Sequence, residues 1–382
     1  MDQTPFISII VPVRNAERTL DKTFEYLLAV SYPREKMEIL LVDGGSTDGT
    51  VEVIKKWQEK YPFIRLIQVP NCPSPGFARN KALDVAKGEF LFFTDGDCAP
   101  CPEWIAEMLA KFRQDPKIGA VGGEIFTLRV DPENLTELWC EHFRFNMVSP
   151  RYGFIEEGYF PQLSDLSPTQ IAGHRAYFFI TANVAYRKSA IEAARACFWT
   201  LPTGEDVDLS HQIQRAGFRL YFAPKAKVDH MHRANSQALK KVWVTYGAAH
   251  APLIAKYSPQ VCEIVFQAFK SKPRLKFPFP IKGFIYLGHF HLMHIFWALF
   301  LLSGGVSLAT PGLSIMDIIT WVNFLLALYF TFRSFQWCFY MQPRRHLFCW
   351  CRMLYLTNLA FILGGAKGLV KYRVFCIEPS FY

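Results

Sequence analysis

Phe90-Leu91-Phe92-Phe93-Thr94-Asp95-Gly96-Asp97 is an apolar run that breaks into two carboxylates two residues apart. The run reads as a buried strand over Glu89–Thr94. Asp-x-Asp just past such a strand can converge on one hard divalent cation through oxygen ligands. Mg2+ or Mn2+ held in this way could bridge to a diphosphate and stabilise it as a leaving group. Taken alone, the triplet also fits a polar turn with an Asx cap.

Upstream, short apolar runs alternate with helical patterns. Ile7–Val11, Ile39–Val42 and Ile64–Val69 read as strands. Helical spacing follows over 16–31, after the turn Asp43–Thr50 as far as Lys60, and from Gly76 to Lys87. Pro102 opens a further helix, and strand-like runs return at Phe179–Tyr186 and Phe218–Phe222. Residues 131–180 are less regular and read as an insertion over the site. Strands separated by such helices make an α/β fold with a mostly parallel sheet. Sites in these folds lie beyond the carboxyl ends of the strands. Polar or acidic turns fall there after Val11, Val42 and Thr94.

Gly204-Glu205-Asp206-Val207-Asp208-Leu209 is a second acidic cluster. Acids that open a helix gain from its positive end, and one of them could also act as general base toward a hydroxyl nucleophile. His230 and His232 follow the last strand of the front half, and His230 could add a ligand to a metal. Either histidine also fits simple packing.

The 382 residues are 51% hydrophobic and 20% charged, which excludes a disordered or collagen-like chain. Ten cysteines without regular spacing exclude a disulfide scaffold. Cys98-Ala99-Pro100-Cys101 has redox or half-zinc spacing, but no second pair lies near it in sequence, so it reads as packing. No Gly-x-Gly-x-x-Gly follows the first strand, which disfavours a dinucleotide enzyme. Met1–Pro5 leads straight into a strand with no secretory signal. The front half is therefore expected in the cytosol with reduced thiols.

Charge splits the chain. Residues 1–230 carry 26 Lys and Arg against 30 Asp and Glu, whereas the remainder carries 16 against 3. A mildly acidic domain tied to an anionic membrane surface fits this better than a nucleic-acid binder. From Met231 to Gly283 nine basic residues and one acid, Glu263, are interleaved with aromatics. That stretch is expected to form helices at the membrane surface.

No Asp, Glu, Lys or Arg occurs from Gly283 to Met316, a run long enough to cross a bilayer. Two spans are expected at about 284–306 and 313–332. His289, His291 and His294 in the first read as packing. Arg333, Arg344 and Arg345 follow the second span, so both ends of the hairpin are expected on the cytoplasmic side. A last apolar run, Met353–Ala366, is short for a span and precedes Lys367, Lys371 and Arg373. A re-entrant or interfacial helix over about 347–366 is expected there, with a third span as the alternative.

Seven motifs in order over Phe6–Tyr257 resemble the family 2 glycosyltransferases with the GT-A nucleotide-sugar fold. They are Ile9–Asn15, Leu41–Thr50, Gly76–Ala82, Asp95-Gly96-Asp97, Thr181-Ala182-Asn183, Gly204-Glu205-Asp206 and Val228-Asp229-His230. The resemblance implies an inverting, metal-dependent transferase that uses a nucleotide-sugar, most often a UDP-sugar. It implies that Asp43 contacts the nucleotide, with Pro12, Val13 and Asn15 lining the same pocket and Asp95 and Arg79 reaching the nucleotide or its diphosphate. Asp95, Asp97 and His230 would hold Mg2+ or Mn2+. Asp206 would be the catalytic base with Glu205 in support, and Thr181, Ala182 and Asn183 would face the acceptor.

Processive members carry Gln-x-x-Arg-Trp, whereas the comparable stretch here is Leu239-Lys240-Lys241-Val242-Trp243. A membrane-anchored enzyme making one linkage, on a lipid-linked or glycan acceptor, is therefore expected. The rivals are a processive polysaccharide synthase and a non-catalytic membrane scaffold that keeps the nucleotide pocket.

Overall fold

The computed structural model describes residues 4–151, 155–166, 170–171, 176–232, 235–258, 261–266, 273–278, 282–310, 312 and 314–377. It divides into two compact units, the first closing at Asn235 and the second taking up the chain at Ser236.

The first unit is built on a sheet of β1 (Ile7–Val13), β2 (Met37–Asp43), β3 (Ile64–Gln68), β4 (Phe90–Phe93), β5 (Cys98–Pro100), β6 (Ile118–Leu128), β7 (Gly158–Tyr159), β8 (Val184–Arg187) and β9 (Arg219–Met231). The spatial order is β3-β2-β1-β4-β8-β6-β9-β5, with β7 added beside β9. The order steps outward in both directions from β1, as expected for a doubly wound sheet. β3, β2, β1 and β4 run parallel.

The sheet is more mixed than expected. β8 enters antiparallel between β4 and β6, and β5 and β7 each pair antiparallel with β9. β6 gave no signal in the sequence because glycine is a poor strand former, and Gly119, Gly122 and Gly123 interrupt its apolar pattern. Contact distances explain why glycine stands there: a Cβ on Gly122 would lie 2.0 Å from the Phe179 ring, and one on Gly123 would lie 1.9 Å from the Ala226 carbonyl.

Helices cover both faces. Alternate residues of β1 divide between two cores. Ile7, Ile9 and Val11 face the layer of α1 (Glu17–Ala29) and α4 (Trp104–Gln114), with Phe24, Trp104 and Met108 among its buried residues. Ile10 joins Leu91 and Phe93 against α3 (Pro75–Leu83), α7 (Lys188–Ala194) and α8 (Glu205–Arg215). α2 (Thr50–Lys60) completes the first layer through Ile54. Of the segment 131–180, the described residues form α5 (Leu135–His142), α6 (Val148–Arg151) and β7, while 152–154, 167–169 and 172–175 lie outside the described residues.

The second unit starts with α9 (Ser236–Tyr257), followed by β10 (Val261–Phe266), β11 (Arg274–Pro278) and β12 (Gly283–Leu287). Among the described residues of 231–283, only the first part is therefore helical. The expectation of helices throughout fails because Val261-Cys262-Glu263-Ile264-Val265-Phe266 is rich in β-branched residues and finds two partners, antiparallel β11 and parallel β12. β12 also takes the first residues of the expected span, so α10 runs from His289 to Ala309. α11 (Ser314–Phe335) and α12 (Leu347–Tyr372) follow, and β13 (Phe375–Ile377) pairs with β12. Among the described residues, three helical stretches are long and apolar enough to cross a membrane, His289–Ala309, Ile315–Tyr340 and Arg344–Leu369. The short apolar run 353–366 is the middle of the 26-residue α12.

α9 and α12 approach almost backbone to backbone. A Cβ on Gly247 would sit 2.0 Å from the Phe361 carbonyl, one on Gly364 would sit 2.1 Å from that of Val244, and one on Gly368 would sit 2.4 Å from the Ala251 Cβ. Gly364-x-x-x-Gly368 facing Gly247-x-x-x-Ala251 is the small-residue seam that brings helices this close.

Candidate active site

Register aligns the ends of the parallel strands. Val13 pairs with Asp43, and Ile10 with Phe93, so the chain leaves β1, β2 and β4 along one edge. Two loops are tied together there. The Asp43 carboxylate is buried and accepts the amide hydrogens of Gly45 and Ser46 at 3.2 and 3.1 Å. Gly45 has φ +84°, the left-handed turn that lets this loop fold back. Asn15, also left-handed at φ 53°, accepts the Thr47 amide on Oδ1 at 2.8 Å and donates its own amide to Ser46 Oγ at 2.9 Å. Asn15 is exposed and Pro12 half-buried, so both border open space. Val13 is buried and forms a floor, and a Cβ on Gly96 would meet its Cγ1 at 2.7 Å.

Asp95-Gly96-Asp97 turns tightly, with the Cys98 amide donating to the Asp95 carbonyl at 3.2 Å. Thr19 and Thr23, one helical turn apart on α1, donate hydroxyl hydrogens to the Gly96 carbonyl at 2.8 and 3.1 Å. Pattern reading missed these two anchors, because threonines on the buried side of a helix carry no motif. β5 then pairs with β9 so that Cys98 stands opposite His230, and the Met231 amide donates to the Asp97 carbonyl at 2.8 Å.

As a result one ligand atom from each of Asp95, Asp97, Cys98 and His230 lies within 4.8 Å of the others. His230 Nε2 is 3.5 Å from Asp97 Oδ1, while its buried Nδ1 has no hydrogen-bond partner among the described residues. Burial, followed by the Asp97 and Asp95 charges, pushes the Cys98 thiol well above its ordinary value, and a soft sulfur suits Mg2+ or Mn2+ less than the oxygen and nitrogen donors beside it. The remaining set of two carboxylates and one imidazole, part-exposed on one side, fits Mg2+ or Mn2+. His232 packs beside it, its Nε2 2.8 Å from Thr127 Oγ1 and its ring 5.0 Å from that of His230.

Arg79 joins this centre to the second acidic cluster. Its side chain is 3% exposed, donating from Nη2 to Asp95 Oδ1 and from Nη1 to Glu205 Oε1, both at 2.8 Å. Its guanidinium also lies 5.7 Å from the centre of the Phe198 ring. Both terminal nitrogens are engaged by carboxylates, so Arg79 ties the two acidic clusters together. α3 comes this close because residue 76 is glycine, where a Cβ would stand 2.1 Å from the Trp199 carbonyl and 3.2 Å from the Glu205 Cβ.

Gly204, at φ 89°, turns the chain into α8 and places Glu205 and Asp206 on its first turn. Burial raises the Glu205 carboxyl above its ordinary value, with the Arg79 charge as the largest opposing influence. Asp206 is half-buried and accepts the Val207 amide on Oδ1 at 2.8 Å. Glu205 is held in the ion pair with Arg79, while Asp206 beside it on the same turn stays half-buried.

The expected acceptor-facing residues Thr181, Ala182 and Asn183 are all buried. Thr94 Oγ1 donates to the Ala182 carbonyl at 2.9 Å, which ties the end of β4 to the 181–183 turn, where Thr181 and Ala182 are buried. Asn183 is committed inside the sheet. Its Oδ1 accepts from Trp104 Nε1, and its Nδ2 donates to the Glu124 and Ala226 carbonyls, all at 2.8 Å. At 1% exposure it knots β6, β9 and α4 together and has no free edge for an acceptor.

Residues 8–193 match the family model described as Glycosyl transferase family 2. A Methanococcus voltae protein is 27% identical over 259 residues, covering 66% of this chain and 74% of its own. It is named dolichyl N-acetyl-alpha-D-glucosaminyl phosphate 3-beta-D-2,3-diacetamido-2,3-dideoxy-beta-D-glucuronosyltransferase. Glycosyltransferase AglE of Haloferax volcanii is 25% identical over 237 residues, covering 62% of this chain and 70% of its own. Among solved structures, the mannosyltransferase PcManGT from Pyrobaculum calidifontis, in complex with GDP-Man and Mn2+, aligns with 96% of this chain and 88% of its own. The TM-score is 0.52 at 20% identity, a likeness of fold.

Proposed function

The chain belongs to glycosyl transferase family 2, and from that membership we propose that it moves a hexose-type sugar from a nucleoside diphosphate donor to a lipid-linked acceptor, with inversion, at the cytoplasmic face of a membrane. One observation carries this reading. Buried Arg79 couples Asp95 of the candidate metal centre to Glu205, the neighbour of Asp206.

Asp43 and the Asn15–Thr47 bridge shape the pocket that takes the base and ribose. Asp95, Asp97 and His230 would hold Mg2+ or Mn2+, which when bound neutralises the departing diphosphate. The Arg79 clamp fixes the distance between that centre and the start of α8. Asp206 takes the proton from the acceptor hydroxyl as its oxygen attacks C1. The acceptor oxygen bonds to C1 on the face opposite the leaving group, and the C1–O bond to the diphosphate breaks with its electron pair staying on the phosphate oxygen. The result is inversion through an oxocarbenium-like state.

Support for a lipid-linked acceptor comes from the Methanococcus voltae relative, whose name places its acceptor sugar on a dolichyl phosphate. The apolar α10–α11 hairpin would anchor the enzyme where such lipids lie. UDP is the nucleotide implied by the family resemblance. GDP enters the test because PcManGT is solved with GDP-Man and Mn2+.

The test incubates full-length protein in detergent with membrane lipids, Mn2+ and a panel of UDP- and GDP-sugars. Consumption of one donor with a single sugar added to a lipid is expected. Folded protein that consumes no donor would overturn the reading. Long products from one priming event would favour a processive synthase, and nucleotide binding without transfer would favour a scaffold.

A further inference from the structure

We propose that α12 lies along one leaflet of an anionic membrane, crossing the foot of the α10–α11 hairpin, and does not pass through the bilayer as a third span. The proposal rests on the reading of α10 and α11 as a membrane-crossing pair.

Three tethers carry it. Near the start of α12, the Cys351 thiol lies beside that of Cys338, which follows the last residue of α11 by three positions. In its middle, Ile362 packs against the cluster of Phe290, Met293 and Phe330, and nearer its start the Tyr355 hydroxyl is 3.2 Å from His294 Nε2, with the Tyr355 ring centre 5.4 Å from that of Phe290. Both partners sit in the first turns of α10. Beyond its end, β13 pairs with β12, the strand that leads directly into α10 at His289. Start, middle and end are all held at the level where α10 begins and α11 ends.

A helix of 26 residues is about 39 Å long, more than the ~30 Å of a hydrocarbon core. Upright, with one end at the foot, its other end would reach past the turn at Thr310–Ser314. The cluster that joins α12 to the hairpin instead stays within Phe290–Trp297 and Leu326–Phe335.

Surface chemistry agrees. The hairpin shows large apolar side chains outward along its length, with Leu301, Leu308 and Trp321 at 70, 87 and 65% exposure. The outward stripe of α12 runs Phe348, Arg352, Leu359, Leu363, Lys367 and Lys371, so apolar and basic side chains share one face. Apolar anchors mixed with cations suit the headgroup boundary, whereas charges two turns into a helix are costly in a bilayer core. The cations identify the occupant as a leaflet rich in anionic lipid. This placement also removes the conflict with the positive-inside rule, because Lys367, Lys371 and Arg373 stay on the side of Arg333, Arg344 and Arg345.

Two measurements test it on the full chain. Epitope tags placed after Tyr382 and at Gly312 are probed with antibody in right-side-out and inside-out vesicles. The first tag is expected on the same side as an epitope on the catalytic unit, and the second on the opposite side. A C-terminal tag on the Gly312 side would refute the surface placement of α12. A Gly312 tag on the catalytic side would refute the spanning hairpin instead, which separates the two readings. In the second measurement, pure protein carrying Leu363→benzoylphenylalanine is irradiated in phosphatidylglycerol vesicles. A lipid adduct is expected, and its absence, while Leu325→benzoylphenylalanine gives one, would show that the stripe does not face lipid.

Discussion

Arg79→Met removes the cation but keeps most of the side-chain volume, and it isolates the coupling between the two acidic clusters. Taking one partner from a buried ion pair costs about 3–5 kcal/mol. The Asp95 side chain is 29% exposed and can recover water, whereas that of Glu205 is only 10% exposed. The lower end, about 3 kcal/mol, therefore applies. For a unit of this size, that lowers the thermal midpoint by about 6–12 °C. Burial already raises the Glu205 carboxyl, and removing Arg79 raises it further. A folded state that binds the proton more tightly than the unfolded chain loses stability as pH rises past the unfolded carboxyl value. The deficit of the variant should thus shrink as the pH is lowered toward the unfolded carboxyl value and Glu205 takes up a proton. Adding Glu205→Gln to Arg79→Met should recover at least half of the lost midpoint, since it removes the stranded charge. Turnover should fall about 10²-fold in the single variant, because the start of α8 is no longer held against the metal centre. Melting of the purified protein in detergent, with single-turnover kinetics on the folded fraction, reads both effects. A variant that melts with the wild type at every pH would refute the clamp.

Asp206→Asn should lower turnover by about 10²–10⁴-fold with donor affinity kept, read by transfer kinetics beside calorimetric nucleotide binding. Asp97→Asn should abolish the rise in thermal midpoint that Mn2+ gives the wild type, and chelation of the wild type should stop transfer until Mn2+ is returned. Asn183→Leu strands Trp104 Nε1 and the Glu124 and Ala226 carbonyls. A loss of about 1–3 kcal/mol for each group that stays unpaired is expected, with the acceptor KM of the folded fraction unchanged. A raised acceptor KM would return Asn183 to the acceptor side. Gly364→Leu, whose first side-chain atom would stand 2.1 Å from the Val244 carbonyl, should force α9 and α12 apart and lower the yield of monodisperse protein in detergent.

Much of the catalytic unit was legible in the chain itself. Apolar runs of strand length alternating with helical spacing fix β1 to β4 and the helices between them. A buried strand needs nothing more than an unbroken apolar run, and a helix shows its period locally. Asp95-Gly96-Asp97 and Glu205-Asp206 were also legible, because carboxylates at a strand end and at a helix start stand out against their surroundings. The apolar α10–α11 hairpin was readable for the same reason, as an uncharged run of sufficient length. What stayed hidden depends on contacts between residues distant in sequence. Thr19 and Thr23 hold Gly96 from 77 and 73 residues away, and Arg79 reaches Glu205 across 126. Glycine-rich β6 is a strand because Phe179 and Ala226 press against it. Asn183 turns inward because three partners from other elements use all of its edges. Whether α12 crosses the bilayer or lies on it depends on β13 finding β12, since the composition of a helix records its hydrophobicity but not where its ends are tied.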